Sequence, residues 1–136
     1  MTRTGVSNFT TPRDSDLSLR RLTNSAGLSI SVLPNGCIFA LEYQNGGGCT
    51  LLNQVLGSPI DGGIARVYLR TGGAAPLITQ VLGPGAKIRF GATADRVVWE
   101  GETSGVHHRL TLWLASRENI WLPPCVRSWL SKSWPQ

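Results

Sequence analysis

The densest chemical feature of the sequence is an aspartate set among residues that bend the chain, Pro59-Ile60-Asp61-Gly62-Gly63. The glycines admit positive φ and let a ligand or another backbone come close, while the carboxylate accepts two hydrogen bonds. Arg66, Tyr68 and Arg70 follow at period two, so they share one face of a strand, and each guanidinium can take a carboxylate or phosphate bidentately. Asp61, the two arginines and the ring would make the rim of a site for an acidic ligand. The same residues also serve structure alone if Asp61 pairs with Arg66 or caps the bend and the arginine face is solvated.

Other residue sets support less chemistry. Glu100 and Glu102 stand at i and i+2, on one side of a strand about 7 Å apart, within the roughly 5 to 9.5 Å that paired catalytic carboxylates span in glycosidases. A small hydrolase could be built on them, though alternating exposed glutamates are also a common edge-strand device. His107 and His108 point to opposite faces and cannot share one metal without distortion. Cys37, Cys49 and Cys125 have neither Cys-x-x-Cys spacing nor an even count, so the expectation is idle or buried thiols, no metal and no cofactor. No Gly-x-Ser-x-Gly nucleophile setting occurs.

The elements that must carry these residues are short strands. Leu28, Ile30 and Val32 alternate with Ser29 and Ser31, and Pro34-Asn35-Gly36 supplies a hairpin turn into Ile38–Tyr43, whose Phe39, Leu41 and Tyr43 face reads as core. Gln44–Gly48 reads as a mobile glycine loop. Further strands are expected over Thr50–Leu56, Arg66–Arg70, Leu77–Leu82, Lys87–Phe90, Arg96–Glu102 and Val106–Ala115. Pro123-Pro124 is expected to stop any ladder, leaving a Trp-rich tail that is irregular or forms a small helix from Cys125 to Trp134.

Bulk properties fit this picture. A chain of 136 residues holds one domain, and with 41% hydrophobic and 15% charged residues it is too apolar for disorder. The 16 glycines and 8 prolines favour strands and turns over long helices. A formal net charge of +5 would attract an anionic partner. The start carries no apolar signal core and no run nears the roughly 20 residues that cross a bilayer, so a cytoplasmic location and no membrane partner are expected.

The segment TLLNQVLGSPIDGGIARVYLR, residues 50–70, resembles a signature in the N-terminal β-sandwich of the glycoside phosphorylases of glycoside hydrolase family 94, formerly glycosyltransferase family 36, closest to the cellobionic-acid phosphorylase type. The correspondence runs through Asn53, Gly57, Asp61, Gly62, Gly63, Arg66, Tyr68, Leu69 and Arg70. The stretch LITQVLGPGAKIRFGATADRVVWEGETSGVHHRLTLWLA is similar to the strands that follow, so the likeness covers residues 19–122. It implies an all-β, antiparallel β-sandwich, part of a galactose-mutarotase-like supersandwich, that binds carbohydrate (a sugar acid), packs on a catalytic barrel and helps form a homodimer. The barrel, with the family's acid and phosphate site, is absent from this chain. The resemblance therefore implies a truncated or frameshifted accessory piece that is not catalytic alone, with Asn53, Asp61, Arg66, Tyr68 and Arg70 as substrate-binding residues.

The expected organisation is a flexible segment over residues 1–18, the sandwich over 19–122 and an atypical tail over 123–136. The competing reading is a basic β module that binds nucleic acid, with scattered arginines as an electrostatic funnel and Trp99, Trp113 and Trp121 as stacking platforms.

Overall fold

The computed structural model describes residues 6–13, 15–53, 56, 63–118 and 121–130, the last of these through their backbone alone. The described residues form ten strands and no helix: β1 (Arg20–Thr23), β2 (Leu28–Val32), β3 (Ile38–Asn45), β4 (Gly48–Leu51), β5 (Val67–Thr71), β6 (Leu77–Leu82), β7 (Ile88–Ala92), β8 (Arg96–Thr103), β9 (Val106–Leu114) and β10 (Trp121–Leu130). They assemble into antiparallel sheets ordered β1-β2-β3-β4 and β10-β9-β8-β7, with β5-β6 as a separate ribbon. The fold is all-β and sandwich-like. No helix among the described residues is long and apolar enough to cross a membrane.

The core lies between the two four-stranded sheets. Leu22, Leu28, Ile30, Val32 and Ile38 come from one and Ile88, Val97, Trp99, Leu110, Leu112 and Leu114 from the other. Burying each aliphatic chain contributes about 1.5–3 kcal/mol. Trp99 has no exposed surface, and its indole Nε1 donates to the Pro34 carbonyl at 3.0 Å, pinning the β2–β3 turn to the opposite sheet. A tryptophan held this way is not available to stack on a base, which removes one of the three platforms expected of a nucleic-acid module.

Turn chemistry fixes the connections. Asn24 accepts at Oδ1 from the Ala26 and Leu28 amides and donates from Nδ2 to the Ala115 and Glu118 carbonyls, tying the β1–β2 turn to the end of β9. Gly36, at φ 92°, sits against Leu82, where a Cβ would collide with that side chain.

Three expectations are corrected. Gln44–Gly48 is a tight hairpin in place of a mobile loop: Asn45 pairs with Gly48 across Gly46-Gly47, and β4 runs from Gly48 to Leu51 instead of from Thr50 to Leu56. Two glycines can adopt the backbone twist that such a two-residue turn demands. Phe39 leaves the core face because a register shift between Ser31 and Val32 changes the alternation of β3, burying Ile38 and Ala40 while Leu41 packs on the core margin. Pro123-Pro124 does not stop the ladder. β10 pairs with β9 on both sides of it, with the register slipping between Leu122 and Cys125. Prolines without N–H are tolerated at an edge strand or bulge, and β10 offers both. Cys125–Leu130 is accordingly strand and not helix.

Part of the expected lead-in is docked. Thr10 exchanges backbone hydrogen bonds with Phe90 at 2.8 and 2.7 Å, and Gly91 lies under Val6, Asn8 and Phe9, where a side chain would collide.

Candidate functional site

The structure brings three of the expected site residues together. Along β5 and the residue before it, Arg66, Tyr68 and Arg70 are exposed while Val67 and Leu69 turn inward. The alternation follows from the ribbon's one-sided packing, since Val67 reaches the core margin and its partner Leu82 is fully buried. Opposite Tyr68 stands Gln80 and opposite Arg70 stands Ile78. Tyr68 is 51% and Ile78 63% exposed. Among the described residues Arg66 and Arg70 join no ion pair. Asp61 lies outside the described residues, as do Gly57 and Gly62.

Spacing limits what this row can hold. Four residues of extended chain separate Arg66 from Arg70 by roughly 13 Å, so one small acid cannot be gripped by both guanidiniums at their bases. Two carboxylates spaced along a larger partner can.

Asn53 belongs to a different device. It is 7% exposed, its Oδ1 accepts from the Leu41 amide at 2.8 Å and its Nδ2 donates to the Phe39 carbonyl at 3.3 Å. Its side chain takes over the ladder where β4 ends and braces the departing chain against β3.

A pocket of about 590 Å³ opens at the other sheet, lined by Thr11 and Pro12 of the docked N-terminal segment, Ala86 to Arg89, Glu100 to Glu102 and His107. Glu100 is held by Arg89 at 3.2 Å and Arg109 at 3.4 Å, and Glu102 lies 3.4 Å from His107 Nδ1. Arg89 also stacks over Phe9 at 5.4 Å. Glu100 is thus engaged in two cross-strand ion pairs. The cluster reads as cross-strand charge pairing between β7, β8 and β9.

Sequence reasoning missed His108. Its ring is 2% exposed and neither nitrogen has a hydrogen-bond partner among the described residues. It fills the space over Gly101, its partner on β8, where a Cβ would stand 2.7 Å from Nε2 and 2.5 Å from the Lys87 carbonyl. Burial holds its pKa below the usual histidine value; the Val106 backbone opposes this and His107 adds to it. Only the inward parity of position 108 on β9 hinted at this. His107 and His108 do face opposite ways, and the described residues contain no group of three or more His, Cys, Asp or Glu able to hold a metal.

Cys37 is buried, and Cys49 is exposed with a pKa raised by desolvation and then by Glu42, whose carboxylate lies 3.6 Å from Sγ.

The model of the SOGP N-terminal domain family matches residues 31–124. No curated protein and no solved structure matches the chain. The family match overturns the assignment to the glycoside hydrolase family 94 N-terminal domain, and with it the reading of the chain as a carbohydrate-binding accessory piece of a glycoside phosphorylase, which rested on that assignment. Residues 31–124 run from the end of β2 into β10, so the match takes in β3 to β9 and parts of β2 and β10, more than half of the chain, and the chain belongs to the SOGP N-terminal domain family.

Proposed function

We propose that this chain is a docking domain that binds another protein surface through the exposed face of the β5–β6 ribbon. The observation that carries the reading is the row Arg66, Tyr68 and Arg70 beside Ile78: two guanidiniums that join no ion pair among the described residues, interleaved with exposed aromatic and aliphatic side chains. Tyrosine and arginine are the residue types that concentrate binding energy at protein interfaces. The spacing of the arginines selects a partner that presents separate carboxylates beside apolar side chains, as an extended acidic segment or the face of a folded domain does. A family described as an N-terminal domain fits a module that packs against further protein.

The test is a fluorescence anisotropy titration with a labelled peptide of alternating glutamate and leucine, comparing the native chain with Arg66→Glu/Arg70→Glu and with Tyr68→Ala. Binding by the native chain, weakened about tenfold or more by either variant, is the expected result, since each tenfold corresponds to about 1.4 kcal/mol. Equal binding by all three proteins would remove the ribbon as the docking surface.

A further inference from the structure

Sheet edges are templates for another strand, and proteins guard them with charges, prolines, bulges or covering segments. The edges described here follow that rule with one exception. β1 is four residues long and carries Arg20 and Arg21, with Arg20 Nη2 bonded to the Thr93 carbonyl. β7 is covered by the N-terminal segment through Thr10 and Phe90. β10 has Pro123, Pro124 and a register slip. In the ribbon, β5 bears its arginine row, and β6 is irregular against β5 and buries Val81 and Leu82. β4, Gly48-Cys49-Thr50-Leu51, has no charge, no proline and no bulge, pairs with β3 in unbroken register and is exposed at every residue. Leu51 at 42% and Leu52 at 49% exposure continue the bare surface.

The hydrogen-bond phase says which backbone groups are free. The Leu52 amide donates to the Leu41 carbonyl at 2.7 Å, so with the observed register the inward-bonding pairs are Leu41/Leu52, Tyr43/Thr50 and Asn45/Gly48. In an antiparallel ladder the alternate residues turn their amides and carbonyls the other way. Cys49 and Leu51 therefore present theirs to the open edge.

The geometry points to a second copy of this chain as the occupant, its β4 pairing antiparallel with this one across a two-fold axis at Thr50. Cys49 of each copy then exchanges two backbone hydrogen bonds with Leu51 of the other, using every outward group of both strands, and the two sheets join as one of eight strands. Charge selects this edge. Two chains of +5 repel, and pairing either β1 or β5 with itself would set arginines against arginines. β4 brings no charge to the axis, and the nearest charged pair, Arg21 with Glu42 at 3.0 Å, is neutral in sum. The inference stands apart from the ribbon reading, because it uses a different edge.

Cross-linking at the axis tests it. Thr50 meets its symmetry mate as a non-hydrogen-bonded pair with Cα atoms about 4.5 Å apart, within disulfide range. In a Cys49→Ser/Cys125→Ser background, Thr50→Cys treated with diamide, which takes two hydrogen atoms from a thiol pair, is expected to run as a covalent dimer on non-reducing gels. Leu77→Cys, on the ribbon, is expected to remain monomeric under the same treatment. Light scattering on the Thr50→Lys variant, its fold checked by circular dichroism, should give the monomer mass where the native chain gives a concentration-dependent dimer. Cross-linking at Leu77 in place of Thr50, no cross-linking at either position, or a dimer that persists with Thr50→Lys would overturn the assignment.

Discussion

At the scale of single residues, the feature with the sharpest consequence is a buried histidine. His108, on β9, fills the space over Gly101 of β8 with its ring nitrogens unpaired among the described residues, and burial lowers its pKa. A histidine whose folded pKa lies below its unfolded value of about 6.5 opposes folding as acid is added, because the unfolded chain takes the proton first. Stability is therefore unaffected well above that value, falls by up to about 1.4 kcal/mol per pH unit as pH drops through the window between the unfolded and folded pKa values, and levels off below the latter. Urea titrations from pH 8 to pH 5 should show this decline for the native chain and a flatter profile for His108→Leu, with no loss of stability at neutral pH, since the change removes two unsatisfied nitrogens. A variant as acid-sensitive as the native chain would place the sensitivity elsewhere. Asn53 makes the complementary point: an amide whose oxygen and nitrogen both bond β3 backbone is committed to holding the chain, and its polarity says nothing about ligands.

Elements show why some of this was legible in the sequence and some was not. β9 alternates buried with half-buried residues, so its buried face is readable from the apolar positions alone, and the row of Arg66, Tyr68 and Arg70 along β5 is readable for the same reason, whereas β2 and the Val97-Val98-Trp99 run of β8 are buried on both faces. β3 breaks the pattern at a register shift, which no residue type marks, and its core face was misplaced by one residue. β4 begins inside a glycine run, where composition argues for a loop and only pairing with β3 makes a strand. β10 carries two prolines that an interior strand would not tolerate, and its edge position is a property of the assembled sheet. Gly27 shows the converse, a local rule with a tertiary cause: at φ 94° it lies against the Gln44 carbonyl, which a Cβ would strike. Gly27→Ala meets both backbone strain and this close approach, and should lower the urea midpoint by an amount equivalent to about 1–3 kcal/mol with an unchanged m value. Gly46→Ala, whose Cβ would meet nothing, separates the conformational contribution from the steric one and should cost less.

For the whole molecule, the net charge of +5 acts on the two surfaces in opposite senses, and this makes them separable by one variable. An acidic partner on the ribbon is drawn in by Arg66 and Arg70, so its affinity should fall as salt screens the attraction over a Debye length of about 10 Å at 0.1 M. Two copies meeting at β4 bring no opposed charges to the contact but carry like net charge in their bodies, so their association should strengthen over the same salt range. Sedimentation of the native chain and anisotropy titration with the acidic peptide, both run across that range, are expected to give slopes of opposite sign. Self-association that weakened with salt would mean that the copies meet through ion pairs, as a ribbon arginine against the Glu102 carboxylate would, and β4 carries none.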